Sequence, residues 1–380
     1  MKQYKVLVCG TVYGQVYLSA FLRNSNRFAL AGILGKGSER TMQFAREFGV
    51  PVYRSVKEVP DNIDVACVVI RSTIAGGDGS FIAKELLEKK ISVIQEHPVY
   101  QRDIEESFEI AQKNGVHYHV NSHYVNVEPI CTFIDYAMKM STRNSLMYIN
   151  VVTAPQITYS LLDIVGRAIG GIEPFTFTNP IEWEHECREK HNGSLQPFKC
   201  LQGILHGVPI TYNIQNYIDS SQFDNHYLNM HRIIIGNESG SLNLMNTHGP
   251  VVWTDSFSIG EEDETNSFHR RKSAFINYKR PTAVVFTPKL APSLSNVARK
   301  EWPDAVVKAI NDMVEHIETG NAPKGQTSDY LISLSRAWLE LTKVVGKTPD
   351  IKLKEALPPY PDPVKYLSEI EKKAGEEYGA

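Results

Sequence analysis

Lys5-Val6-Leu7-Val8-Cys9-Gly10-Thr11-Val12-Tyr13-Gly14 is the stretch whose reading decides the fold. Its first half is an apolar, β-branched run of the kind that forms a buried strand, and Gly10 then breaks it. Val16 to Leu22 carries the apolar spacing of a helix, and Phe28 to Leu34 reads as a second strand. Strand, glycine turn, helix, strand opens a dinucleotide-binding fold, in which a pyrophosphate rests on the amide groups and positive dipole end of the first helix. The match to the usual G-x-G-x-x-G is imperfect. Val12 and Gln15 stand where the second and third glycines would be, and the next glycine is Gly14. A glycine turn after a strand is often only a turn. Its place at the head of a repeated β/α pattern makes Gly10, Thr11, Tyr13 and Gly14 the expected cofactor cradle.

The end of the second strand speaks to which dinucleotide. Folds that prefer NAD usually place an Asp or Glu there to hold the ribose 2′-hydroxyl. This chain reads Gly35-Lys36-Gly37-Ser38-Glu39-Arg40, with no acid ending the strand. Lys36, Ser38 and Arg40 offer cations and a hydroxyl to a 2′-phosphate, which an Arg can grip through two parallel hydrogen bonds. The expectation is NADPH/NADP+. A plainer reading makes Ser38 the cap of a helix from Glu39 to Phe48, with Arg40 in solvent. Both can hold together, since a helix N-terminus is already where a phosphate sits.

The pattern continues with strands at Pro51 to Tyr53, Asp64 to Ile70, Ile91 to Gln95 and Val116 to Val120. Helices fall between them at Ser80 to Lys89 and Arg102 to Asn114. Nearly continuous apolar strands alternating with helices indicate a doubly wound parallel sheet covered on both faces. This first unit, a Rossmann domain that binds NADP, is expected to close at residue 121. Residues 122–346 read as an α+β unit for substrate and dimerisation. Its strand candidates are Leu146 to Val152, Pro174 to Thr178, Phe198 to Leu205, Ile210 to Ile218, Arg232 to Ile235, Ser241 to Met245 and Ala283 to Thr287, several of them alternating as in a mostly antiparallel open sheet. Helices are expected at 126–140, 158–169, 303–319 and 328–345. The proline-rich end, 347–380, reads as an extended tail.

Composition narrows the class. A chain of 380 residues with 42% hydrophobic and 22% charged residues is an ordinary globular protein, and long for a single core. A net charge of −3 gives no reason to expect a nucleic acid or a membrane surface as partner. No apolar run reaches the roughly 20 residues that span a bilayer, and no signal peptide precedes the first strand, so a cytoplasmic location is expected. The five cysteines are odd in number, form no C-x-x-C pair and read as reduced thiols. His185-Glu186-Cys187 invites a metal reading, but Glu189 stands where H-E-x-x-H needs its second His, so no metal is expected.

Gln95-Glu96-His97-Pro98 ends the fifth strand at the carboxyl edge, where ligands gather in open α/β sheets. The arrangement resembles the glucose–fructose oxidoreductase/inositol dehydrogenase-like family, whose members carry Glu-Lys-Pro here with the lysine near the reacting carbon. His97 replaces that lysine, which turns the resemblance from sugar and polyol dehydrogenases toward the thiazolinyl imine reductases of siderophore biosynthesis (yersiniabactin/pyochelin type). Further residues agree: Gly10-Thr11 with Gly14, Gly37-Ser38 with Arg40, Arg71-Ser72 before Gly76-Gly77 and Gly79, and Asn121-Ser122-His123-Tyr124. The agreement is dense over residues 5–125 and thin beyond.

What the resemblance implies is reduction of a cyclic imine, thiazoline to thiazolidine, on a carrier-protein-bound peptide intermediate of a nonribosomal peptide synthetase. It makes His97 and Tyr124 the acid candidates. Histidine titrates near neutral pH, and a tyrosine is ordinarily protonated there. It also places Glu96 at the cofactor ribose or at its own loop, and Arg71 and Ser72 along the cofactor crevice. Taken alone, a His after a strand is more often a hydrogen-bonded structural residue, and Tyr124 reads equally well as packing between units. The aromatic and His-rich run Phe223 to His231 is a candidate lining of a substrate cleft. A homodimer is expected through the open sheet. The alternatives are an NAD(P)-dependent sugar or polyol dehydrogenase of the wider family, and a regulator that senses NADPH without turnover.

Overall fold

A computed structural model describes the chain except residues 1, 24, 144, 183–195, 223–226, 257–280, 288–290, 353–360 and 379–380; for 222 and 373–378 it describes the backbone alone. Six parallel strands form the first sheet: β1 (Tyr4–Cys9), β2 (Phe28–Leu34), β3 (Val52–Tyr53), β4 (Val65–Val68), β5 (Ser92–Glu96) and β6 (Tyr118–Asn121). Their order is β3-β2-β1-β4-β5-β6. Helices α1 (Gly14–Ala20), α2 (Glu39–Phe48), α3 (Gly79–Glu88) and α4 (Gln101–Asn114) connect them. The strand order reverses between β1 and β4, and at such a switch point ligands of doubly wound sheets bind.

Period-2 alternation divides each strand between two cores. Leu7, Cys9, Ala66, Val68 and Val93 face a core shared with α3, α4 and the second sheet. Val6, Val8, Val65, Cys67 and Ile94 face the other, with Tyr17 and Leu18 of α1.

The second unit begins with α5 (Glu128–Ser141) and α6 (Thr158–Ile169). Its sheet adds β7 (Tyr148–Thr153), β8 (Phe175–Phe177), β9 (Phe198–Leu205), β10 (Val208–Gln215), β11 (His231–Asn237), β12 (Gly240–Leu244), β13 (Val251–Asp255) and β14 (Ala283–Val285). They lie in the order β14-β13-β12-β11-β7-β10-β9-β8. Every pairing is antiparallel except β7 with β10. The fold class expected from sequence is the one observed.

Two helices bring the chain back. α7 (Trp302–Thr319) places Val306, Ile310, Met313 and Val314 in the core beneath the first sheet, although sequence order assigns it to the second unit. α8 (Ser328–Val345) packs between α4 and α6. Just before it, Gln326 pairs with both backbone groups of Val120, at 3.0 and 2.9 Å, and so closes the open edge of β6.

Two expectations need correction. β13 was not among the expected strands. The tail is not extended throughout: residues 363–378 form a further helix, α9 (Pro363–Tyr378). Pro363 is its first residue, a position where proline's fixed φ suits a helix and its missing N–H is not needed.

Candidate active site

The glycine turn does what its sequence requires. Gly10 sits at φ +91°, and a Cβ there would lie 2.6 Å from the Val69 carbonyl oxygen, so only glycine lets β1 turn tightly beside β4. Thr11 is buried and its hydroxyl meets that of Thr41 at 3.0 Å, tying the turn to α2. Val12 is largely exposed. Tyr13 precedes α1, and its side chain makes no capping hydrogen bond to the first turn. Two more close approaches flank the crevice: neither Gly77 nor Gly79 has room for a Cβ against the Arg71 backbone. The residues present therefore fit a dinucleotide: a helix start without a side-chain cap, and glycines pressed against backbone.

At the end of β2, Ser38 is the cap of α2, its Oγ accepting from the Thr41 amide at 3.3 Å. Lys36 and Arg40 are exposed, and Lys36 Nζ lies 3.7 Å from Asp78 on the loop before α3. The structure adds a cation that sequence reasoning missed. Arg54, just after β3, lays its guanidinium over Gly37, whose Cβ would lie 3.3 Å from its Cζ. Arg54 follows the neighbouring strand rather than the loop after β2, and a cation at that position was the available signal in the sequence.

Glu96 and His97 form the centre of the site. The Tyr17 hydroxyl donates to Glu96 Oε2 and accepts from Asn121 Nδ2 at 2.5 Å. Burial, then the nearby Glu96 carboxylate, push the Tyr17 pKa well up, so this hydroxyl keeps its proton. Glu96 Oε1 lies 3.0 Å from His97 Nδ1, and the Asn121 carbonyl lies 3.2 Å from the same nitrogen. Both partners accept. Nδ1 therefore carries the hydrogen, and Nε2 is the nitrogen left to exchange a proton with a substrate. The ring stacks on Tyr159 of α6 at 5.3 Å. Ser72 is buried and its hydroxyl donates to the Pro98 carbonyl, supporting the loop after His97. Arg71 is exposed. Sequence reasoning missed Tyr17 and Tyr159: each sits on a helix that was foreseen, but nothing in the pattern says which buried ring faces the strand end.

β5 and β6 are neighbours in register, Glu96 opposite Asn121, so His97 and the Asn121-Ser122-His123-Tyr124 turn share one edge. Tyr124 is buried, its ring 5.0 Å from that of His231. His231 bonds Ser160 at 2.9 Å and Thr247 at 3.0 Å and is fully buried, so this end of the expected cleft lining is interior; residues 223–226 lie outside the described residues. Burial, helped by the charges of His248 and His97, lowers its pKa to about 3. His123 is likewise lowered to about 3 by burial, His97 and His248. His248 bonds Glu301 at 2.5 Å, beside Trp302. Burial thus keeps His123 and His231, both close to Tyr124, in their neutral form at neutral pH. His185 and Cys187, considered and rejected as metal ligands, lie outside the described residues; among those described, no cluster of His, Cys, Asp or Glu could hold a metal.

Comparison with known proteins agrees with this geometry in two separate stretches. Residues 4–122 match the family described as "Oxidoreductase family, NAD-binding Rossmann fold". Residues 144–254 match "Thiazolinyl imine reductase Irp3-like, C-terminal". The two matches lie in different units of the chain, the first on the parallel sheet and the second on the larger, mostly antiparallel one. None of the curated proteins matches it in sequence. Solved structures share the fold at low identity. An oxidoreductase domain protein from Kribbella flavida has TM-score 0.65 and 12% identity, over 91% of this chain and 97% of its own. An Agrobacterium radiobacter oxidoreductase in complex with NAD+, L-tartaric acid and magnesium has TM-score 0.63 and 9% identity, over 89% and 95%. Levoglucosan dehydrogenase, in complex with NADH and levoglucosan, has TM-score 0.62 and 11% identity, over 90% and 97%.

Proposed function

We propose that this protein is an NADPH-dependent reductase of a cyclic imine, taking a thiazoline to a thiazolidine on an intermediate tethered to a carrier protein of a nonribosomal peptide synthetase. The observation that carries the reading is His97. At the place where the dehydrogenases it resembles carry a lysine, the chain holds an imidazole whose Nδ1 is occupied by Glu96 and Asn121, leaving Nε2 for the substrate. The Irp3-like match of residues 144–254 supports the same reaction from the other half of the chain.

A bound reduced nicotinamide would supply a hydride to the imine carbon, and the chain's own residues do the rest. The glycine turn and Tyr13 hold the dinucleotide, and Lys36, Ser38, Arg40 and Arg54 meet its 2′-phosphate. Glu96, itself held by Tyr17, keeps the His97 ring turned so that Nε2 faces the imine nitrogen. The carbon gains the hydride, the nitrogen gains a proton from His97 or Tyr124, and C=N becomes CH–NH. Because an imine nitrogen is basic and arrives partly protonated, each donor is worth less than the ~10²–10⁴-fold usual in general acid catalysis. We assign the open face of the second sheet to a homodimer contact.

The test is turnover. Purified protein with NADPH is offered a carrier-linked thiazoline and, separately, polyols with NAD. Consumption of the thiazoline supports the proposal. The fold of levoglucosan dehydrogenase favours the rival, an NAD(P)-dependent sugar or polyol dehydrogenase, and polyol oxidation with an untouched thiazoline would establish that instead.

A further inference from the structure

His123 combines three features that each disfavour it. Its φ is +55° and ψ −60°, and the Tyr124 amide donates to the Ser122 carbonyl at 2.6 Å, which makes Ser122-His123-Tyr124 a γ-turn of the rare, strained, positive-φ kind. Its imidazole is fully buried. Neither ring nitrogen has a hydrogen-bond partner among the described residues.

The surroundings hold the strain in place. The His123 amide donates to Asn121 Oδ1 at 3.1 Å, and the Asn126 amide donates to the His123 carbonyl at 3.1 Å. Ser122 donates to Asp163 at 2.5 Å, a carboxylate that also takes Arg167 at 2.7 Å and the Tyr330 hydroxyl at 2.8 Å. Strain fixed this firmly from several sides is a mark of a working position.

What the strain achieves is visible in the rings. The imidazole meets three aromatic side chains nearly at right angles: Tyr13 at 5.9 Å and 85°, Tyr124 at 5.3 Å and 82°, and Trp302 at 6.1 Å and 83°. Tyr13 belongs to the glycine turn, Tyr124 is the acid candidate on the strained turn itself, and Trp302 opens α7. A ring wedged between the first two, on a backbone with no slack, transmits a displacement of one to the other.

We propose that His123 is a positioning residue that ties Tyr13 to Tyr124, so that filling the dinucleotide crevice and aiming the Tyr124 side chain are one event. The turnover part of this inference rests on the proposed function; the binding part does not.

The experiment is a double-mutant cycle on NADPH affinity, read from the quenching of protein fluorescence. His123→Ala and Tyr13→Ala are each expected to weaken binding roughly fivefold, and the pair no more than either alone. Effects that multiply overturn the tie. His123→Phe keeps the ring and the strained backbone, and is expected to restore affinity to within about twofold. A Phe variant as weak as Ala overturns the wedge. If His123→Ala does not fold, His123→Asn, whose short side chain tolerates positive φ, takes its place. In turnover, His123→Ala is expected to lower kcat roughly tenfold, with KM for the imine changed less than about twofold, and Phe to recover kcat. An unchanged kcat in His123→Ala contradicts the aiming role. A wild-type protein that binds NADPH yet reduces no imine refutes the proposed function while leaving the binding cycle to decide on His123.

Discussion

With Nδ1 of His97 taken by Glu96 and the Asn121 carbonyl, Nε2 is the nitrogen the proposed reaction would use, a role set by neighbours rather than by residue type. His97→Ala is expected to lower kcat by roughly 10- to 100-fold while NADPH affinity stays within about twofold, measured by steady-state kinetics beside direct titration. Loss of affinity without loss of kcat would make it a cofactor contact. At the other end of the crevice, Arg40→Ala and Arg54→Ala are each expected to raise KM for NADPH roughly tenfold and that for NADH by less than about twofold, since in the proposed binding mode each would remove a charge-assisted contact made to the 2′-phosphate alone. Equal effects on both coenzymes would remove the 2′-phosphate role. His97 was legible in the sequence because a strand end followed by proline marks the carboxyl edge. Tyr17 and Arg54 were not, because what places them is the packing of one element against another, which a linear pattern does not record.

Elements were legible where their ends carry local chemistry. α2 runs from Glu39 to Phe48 as expected because Ser38 caps it and Gly49 closes it at φ +65°. α6, α8 and β9 also kept their expected limits. β13 escaped because Val251-Val252-Trp253 is a short apolar run behind a Gly-Pro turn, and its partners β12 and β14 include one some 30 residues away in the chain. The tail misled by counting prolines, when the last of them starts a helix whose Val364, Leu367 and Ile370 recur at helical spacing. The glycine turn is the element most exposed to a single substitution. Gly10→Ala meets both a positive φ and the Val69 carbonyl, and is expected to destabilise the protein by about 1–3 kcal/mol in urea unfolding. A stability equal to wild type would show that β1 and β4 can separate there without penalty.

Across the whole molecule, buried histidines couple the fold to pH. His123 and His231 are lowered to about 3 and His316 to about 4, all chiefly by burial, and burial also holds His119, bonded to His316 at 2.9 Å, well below the usual histidine range. Unfolded, each would titrate near 6.5. Between those values the unfolded chain binds more protons, so stability is full above about pH 6.5 and falls as pH drops through the window toward 4. Urea midpoints are expected to fall steadily from pH 6.5 to 5, above the range where carboxylates titrate. A flat profile there would mean these imidazoles reach water or a partner in solution. Hydride delivery to a carbon–nitrogen double bond beside His97 is the centre of the proposed function. Its most direct test is a single turnover with NADPH deuterated at both C4 positions and a carrier-linked thiazoline, read by mass spectrometry and NMR of the product. One deuterium on the former imine carbon is the expected result; a product without deuterium at that carbon, or a thiazoline left unreduced while the dinucleotide stays bound, would contradict it.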